Sequence, residues 1–167
     1  MTDGPGEPAK AKQKAIRLLS RRAYSEAGLR AKLLEKGFGE AAVEQVLAEC
    51  RERRYLDDQA FAAGMARALA EGRLYGDRRI SRALQDKGVA EETVREALAG
   101  VRLEMGEDEA IRRWLAKRDR LADGAAKDPA ERRKIIQSLM RRGFPLDRIF
   151  AVLANFQEEQ IHADEGQ

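Results

Sequence analysis

The sequence predicts an all-α protein built as three tandem three-helix repeats, about nine helices, in an elongated or curved array. Three observations lead there. One helix-ending signal recurs as LLEKGF (33–38), LQDKGV (84–89) and LMRRGF (139–144). Apolar residues stand at helical spacing on both sides of each glycine: Leu33, Leu84 and Leu139 four before, Leu29, Ile80 and Ile135 eight before, Val43, Val94 and Ile149 six after. The chain is 37% charged and only 5% aromatic, rich in Ala, Leu, Arg and Glu, which suits helices and disfavours a β-rich fold.

Each glycine is read as a left-handed helix ending, a conformation that costs a residue with a Cβ about 1 kcal/mol or more. Such an ending folds the next residue back onto the one four before the glycine, so Phe38 is expected on Leu33, Val89 on Leu84 and Phe144 on Leu139. The same residue then staples the following helix through Val43, Val94 or Ile149. A further helix precedes each pair, in KAIRLLSRRAYS, LDDQAFAAGMARALAEG and GEDEAIRRWLAKRDRLADG. Ser25 and Asp57 are candidate caps, and DPAE (128–131) supplies a cap, a helix-starting proline and a capping-box glutamate. The expected organisation is a flexible tail over 1–12, repeats over 13–56, 57–104 and 105–156, and an acidic tail over 157–167. A unit of about 50 residues buries little alone, so neighbouring repeats should share apolar surface. RLADGAAKDP is the candidate loose joint between the second and third.

With Cys50 as its single cysteine, the chain can form no internal disulfide and lacks the ligands of a Cys/His metal cluster. No apolar leader and no run near the roughly 20 residues needed to span a bilayer is present, so a cytoplasmic protein without a membrane partner is expected. Nothing points to an enzyme or a cofactor: there is no P-loop motif, His162 lies in a polar acidic stretch, Cys50 has no histidine near it in sequence, and Asp57 and Asp58 fit a cap and first-turn charge better than a metal site.

Charge carries more information. Lys and Arg outnumber Asp and Glu by 12 to 6 over 9–56 and 12 to 8 over 105–156, whereas 57–104 holds 8 against 9. The basic ends suit a partner offering phosphate or acidic protein surface, and the excess of arginine favours forked contacts to either. Each repeat could also form a helix-turn-helix acting on duplex DNA. The helices after the glycines begin with acidic or apolar residues, however, which leaves non-specific backbone contact as the better nucleic-acid reading.

The stretches AIRLLSRRAYSEAGLRAKLLEKGF, RRYLDDQAFA, GDRRISRALQDKGV and LMRRGF together resemble the RecX family of bacterial recombinase regulators, over about residues 14 to 156. The resemblance implies a monomeric, non-enzymatic helical protein that binds the RecA recombinase and its filament on single-stranded DNA. It implies seating in the filament groove and inhibition of ATP hydrolysis and strand exchange. Within the matched stretches, the exposed basic residues taken as contacts are Arg21, Arg22, Arg78, Arg79, Arg82, Arg141 and Arg142.

Overall fold

The computed structural model describes residues 6–118 and 128–164, with side chains over 6–118 and 128–155. Nine α-helices and no strand occur among the described residues: α1 (Glu7–Leu19), α2 (Glu26–Glu35), α3 (Glu40–Glu52), α4 (Asp58–Arg67), α5 (Asp77–Gln85), α6 (Glu91–Glu104), α7 (Glu107–Ala116), α8 (Pro129–Arg141) and α9 (Leu146–Asp164). A π-helical turn, Ala68–Gly72, extends α4. The RLADGAAKDP joint falls largely outside the described residues.

All three repeated glycines are left-handed, at φ 86° for Gly37, 73° for Gly88 and 93° for Gly143. The N–H of Phe38 donates to the Leu33 carbonyl (3.3 Å), Val89 to Leu84 (3.2 Å) and Phe144 to Leu139 (3.3 Å), while each glycine N–H donates to the carbonyl three residues back. This bond pair defines the Schellman ending that the glycine spacing predicts. Leu33, Leu84 and Leu139 are fully buried, as are Val43 and Ile149, with Val94 nearly so. Burying a side chain of this size stabilises the fold by about 1.5–3 kcal/mol, so each stop signal also anchors core.

Helix starts follow side-chain chemistry. Ser25 Oγ accepts the Gly28 N–H (3.1 Å), Asp57 accepts that of Ala60 (3.0 Å) and Asp128 that of Ala130 (3.0 Å). Three expectations need correction. Glu131 does not close a capping box: its carboxylate pairs with Lys134 at 3.2 Å, the neighbour one turn on. The stretch 1–12 is not all tail, because α1 starts at Glu7, where Pro8 presets the first-turn dihedral and the Glu7 carboxylate accepts the Gly39 N–H (2.9 Å). Helix α9 likewise continues past 156 to Asp164, through a run of Gln and Glu with no glycine or proline to stop it.

The chain packs as two compact units. One contains the chain up to Met65 together with Ala83–Ala97, the other Ala66–Arg82 together with the chain from Leu98 onward. In the first, α1, α2 and α3 enclose Ala11, Ala15, Leu29, Leu33, Val43, Val46, Leu47 and Cys50, with Phe38 and Tyr24 against them. Burial pushes the Cys50 thiol above its usual value. In the second, α9 packs on α7 and α8, burying Ile111, Trp114, Leu115, Ile135, Leu139, Phe144, Ile149, Val152 and Leu153.

Candidate functional site

One joint is built twice, once inside each unit. In the first unit, Ser25 Oγ donates to the Lys87 carbonyl (2.5 Å), the Asp58 carboxylate accepts the Glu26 N–H (2.8 Å), and Arg51 pairs with Glu26 (3.0 Å). In the second, the Gly76 N–H donates to the Arg142 carbonyl (2.8 Å), the Glu107 carboxylate accepts the Asp77 N–H (2.9 Å), and Arg102 pairs with Asp77 (2.6 Å). Adding 51 carries Ser25, Glu26 and Arg51 onto Gly76, Asp77 and Arg102. In each joint the acid at the start of one repeat's first helix caps the second helix of the repeat before it.

The joints require close backbone approach. A Cβ at Gly88 would lie 2.4 Å from Ala27 Cβ, and one at Gly143 would lie 2.5 Å from Arg79 N. Gly76 is tighter still in kind, since its Cβ would meet the Gly143 carbonyl carbon and oxygen at 2.6 Å.

Beside the second joint, arginines stack on two aromatic rings. The guanidinium of Arg79 lies 4.2 Å above the Tyr75 ring, that of Arg118 lies 4.3 Å above Trp114, and that of Arg142 reaches both at 5.6 and 5.5 Å. Arg142 donates to the Arg73 carbonyl and Arg79 to the Arg141 carbonyl (2.8 Å). Two shallow hollows of about 360 and 280 Å³ flank this cluster. Arg73, Arg79, Lys117, Arg118, Arg141 and Arg142 line them, and no carboxylate does among the described residues. Burial holds the Arg142 guanidinium below its usual value, and repulsion from Arg79 and Arg118 adds to this. An arginine in a protein keeps its charge at neutral pH. The cluster is therefore a like-charged group with an open face, and an anion placed there relieves its repulsion.

The structure thus brings Arg79, Arg141 and Arg142 together and places Arg78 and Arg82 on the exposed side of α5. Arg21 and Arg22 belong to the first unit, where Arg22 lies 4.4 Å above Tyr24. Sequence reasoning missed the aromatic platform. Its signal was the 51-residue register that carries Tyr24 onto Tyr75, combined with Trp114 as the chain's single tryptophan. Leu74, left-handed at φ 53° and buried, turns the chain just ahead of Tyr75, and nothing in its residue type announces that turn.

Fold and site together define a helical repeat protein with a basic, aromatic-backed cluster on its surface. Three family descriptions match in tandem: RecX, first three-helix domain over residues 11–50, second three-helix domain over 57–98 and third three-helix domain over 106–153. The chain is 36% identical to the regulatory protein RecX of Syntrophotalea carbinolica over 131 residues, covering 78% of this chain and 85% of that one. It is also 36% identical to the regulatory protein RecX of Vibrio parahaemolyticus over 149 residues, covering 89% and 92%. The crystal structure of RecX from Lactobacillus salivarius has the same fold, with a TM-score of 0.78 at 20% identity, over 90% of this chain and 97% of that one. The chain belongs to the RecX family of regulatory proteins.

Proposed function

We propose that this protein binds the RecA recombinase and its nucleoprotein filament on single-stranded DNA, and that it inhibits ATP hydrolysis and strand exchange without catalysis of its own. Family membership supports the regulatory role. The observation that carries the binding mode is the cluster of Arg79, Arg118 and Arg142 on Tyr75 and Trp114, with Arg141 beside it and no carboxylate among the described lining residues. Planar guanidinium groups held on ring faces lose little further entropy on pairing with a phosphate or a carboxylate, and a nucleoprotein filament offers both. The groove of that filament is where a protein meets both at once.

Direct reading of duplex DNA has less support. Helices α3, α6 and α9, which follow the glycine turns, open with the exposed acids Glu40, Glu91 with Glu92, and Asp147, where a recognition helix would approach phosphate.

Co-sedimentation with recombinase filaments on single-stranded DNA tests the proposal. Saturable binding that weakens as salt rises is expected, since several counterions are displaced. Failure to co-sediment at low salt would sink it.

A further inference from the structure

The groove beside the first joint has the same place in the repeat as the arginine cluster beside the second, but a different chemistry. It is an open hollow of about 560 Å³, with the side chains of Tyr24, Phe61 and Met65 left half-buried against it. The 51-residue register carries Gly28 onto Arg79 and Ala31 onto Arg82. Counting from the capping acids Asp58 and Glu107 carries Met65 onto Trp114. In the first unit, small residues thus stand where the second unit has guanidinium groups, and an apolar floor is left exposed. Arg22, Lys32 and Lys87 stand on the rim, against Asp86 and the Glu35 that pairs with Lys32 at 2.6 Å. The rim keeps an excess of positive charge around an apolar floor.

We propose that this groove takes one large apolar side chain from an acidic segment of the protein partner, so that the two joints grip by different chemistries. Burying such a side chain removes apolar surface from water on both partners, and neighbouring carboxylates complement Arg22 and Lys87. A nucleobase fits less well. It would bring polar edges into a floor made of Phe61 and Met65, and one face of the Tyr24 ring is already taken by Arg22. The inference deepens the preceding proposal and rests on its identification of the recombinase as partner.

The test uses the whole chain carrying Ala31→Cys, an exposed position on α2, labelled with a benzophenone maleimide. Cys50 is 3% exposed, with its thiol pushed up by burial, so the label goes to the new site. Illumination on recombinase filaments followed by mass spectrometry should map the crosslink to a recombinase segment of net negative charge that carries a large apolar residue. A crosslink to DNA, to a basic segment or to this chain itself would overturn the proposal. A second variant, Met65→Trp, fills the groove with the residue that the second unit uses. It should raise the amount needed for half-maximal inhibition by about ten-fold with helical content unchanged, the loss of a single anchoring contact; inhibition equal to the unmodified protein would overturn the proposal. Unmodified protein that neither binds nor inhibits the recombinase would instead refute the preceding section, and this inference with it.

Discussion

Gly37, Gly88 and Gly143 share a left-handed backbone but differ in surroundings, and the differences set an order of tolerance. A Cβ at Gly37 would have no neighbour within 4 Å, so Gly37→Ala should cost only the backbone term, about 1 kcal/mol. At Gly88 the added carbon would meet the Ala27 methyl, and at Gly143 the Arg79 backbone, which cannot swing aside. Gly143→Ala should therefore cost the most, on the order of 2–3 kcal/mol, with Gly88→Ala between the two. Urea unfolding of the three variants checks this order; a Gly37→Ala cost equal to that of Gly143→Ala would contradict it. The left-handed backbone was legible in the sequence, because only glycine fits it freely and three glycines align with the apolar pattern. The crowding was not legible, because Ala27 lies 61 positions before Gly88 and Arg79 lies 64 before Gly143.

The doubled joint uses the same register in both units but buries its arginine in only one. Arg102 is a side chain 15% exposed that pairs with Asp77 and donates to the carbonyls of Met105 and Tyr75, both at 3.1 Å. Its counterpart Arg51 is 52% exposed and, among the described residues, pairs with Glu26 only. Arg102→Ala should cost about 2 kcal/mol, because three partners lose their donor in a partly buried site, whereas Arg51→Ala should cost under about 1 kcal/mol. Equal costs in thermal or urea unfolding would remove the distinction. Glu107 adds a pH dependence: burial raises its carboxyl above the usual glutamate range, offset in part by the hydrogen bond from the Asp77 N–H. A carboxyl raised on folding contributes stability below its unfolded value, and that contribution is lost as pH rises through the folded one. Glu107→Gln keeps an acceptor for the Asp77 N–H without the charge, so its stability relative to the unmodified protein should rise from pH 4 to pH 7. A difference that stays flat would show no shift of the carboxyl on folding, and one that falls would show the carboxylate favoured in the fold; either contradicts the raised value. Helix order and the Schellman ends were legible because they follow from local spacing. The π-helical end of α4 and the cross-repeat caps made by Asp58 and Glu107 were not: Asp58 reads in sequence as an ordinary first-turn charge, and the N–H groups the two acids accept belong to Glu26 and Asp77 in the preceding repeat.

For the whole molecule, the proposed function rests on charge placement. Basic ends and an excess of arginine were visible in the composition, and they predicted an anionic partner. Which arginines act together was not visible: Arg79, Arg118 and Arg141 are brought together by α5, α7 and α8, and the rings beneath them lie in stretches read as helix and turn. On the proposed reading this cluster holds the recombinase filament. The measurement that tests it most directly is single-stranded-DNA-dependent ATP hydrolysis by RecA at fixed salt, titrated with the unmodified protein and with a triple variant carrying Arg79→Ala, Arg118→Ala and Arg141→Ala. Circular dichroism of the variant serves as the folding control. The account predicts inhibition by the unmodified protein at substoichiometric amounts and a rise of about ten-fold or more in the amount of variant needed. A variant that inhibits as well as the unmodified protein, or an unmodified protein without effect up to equimolar amounts, would contradict it.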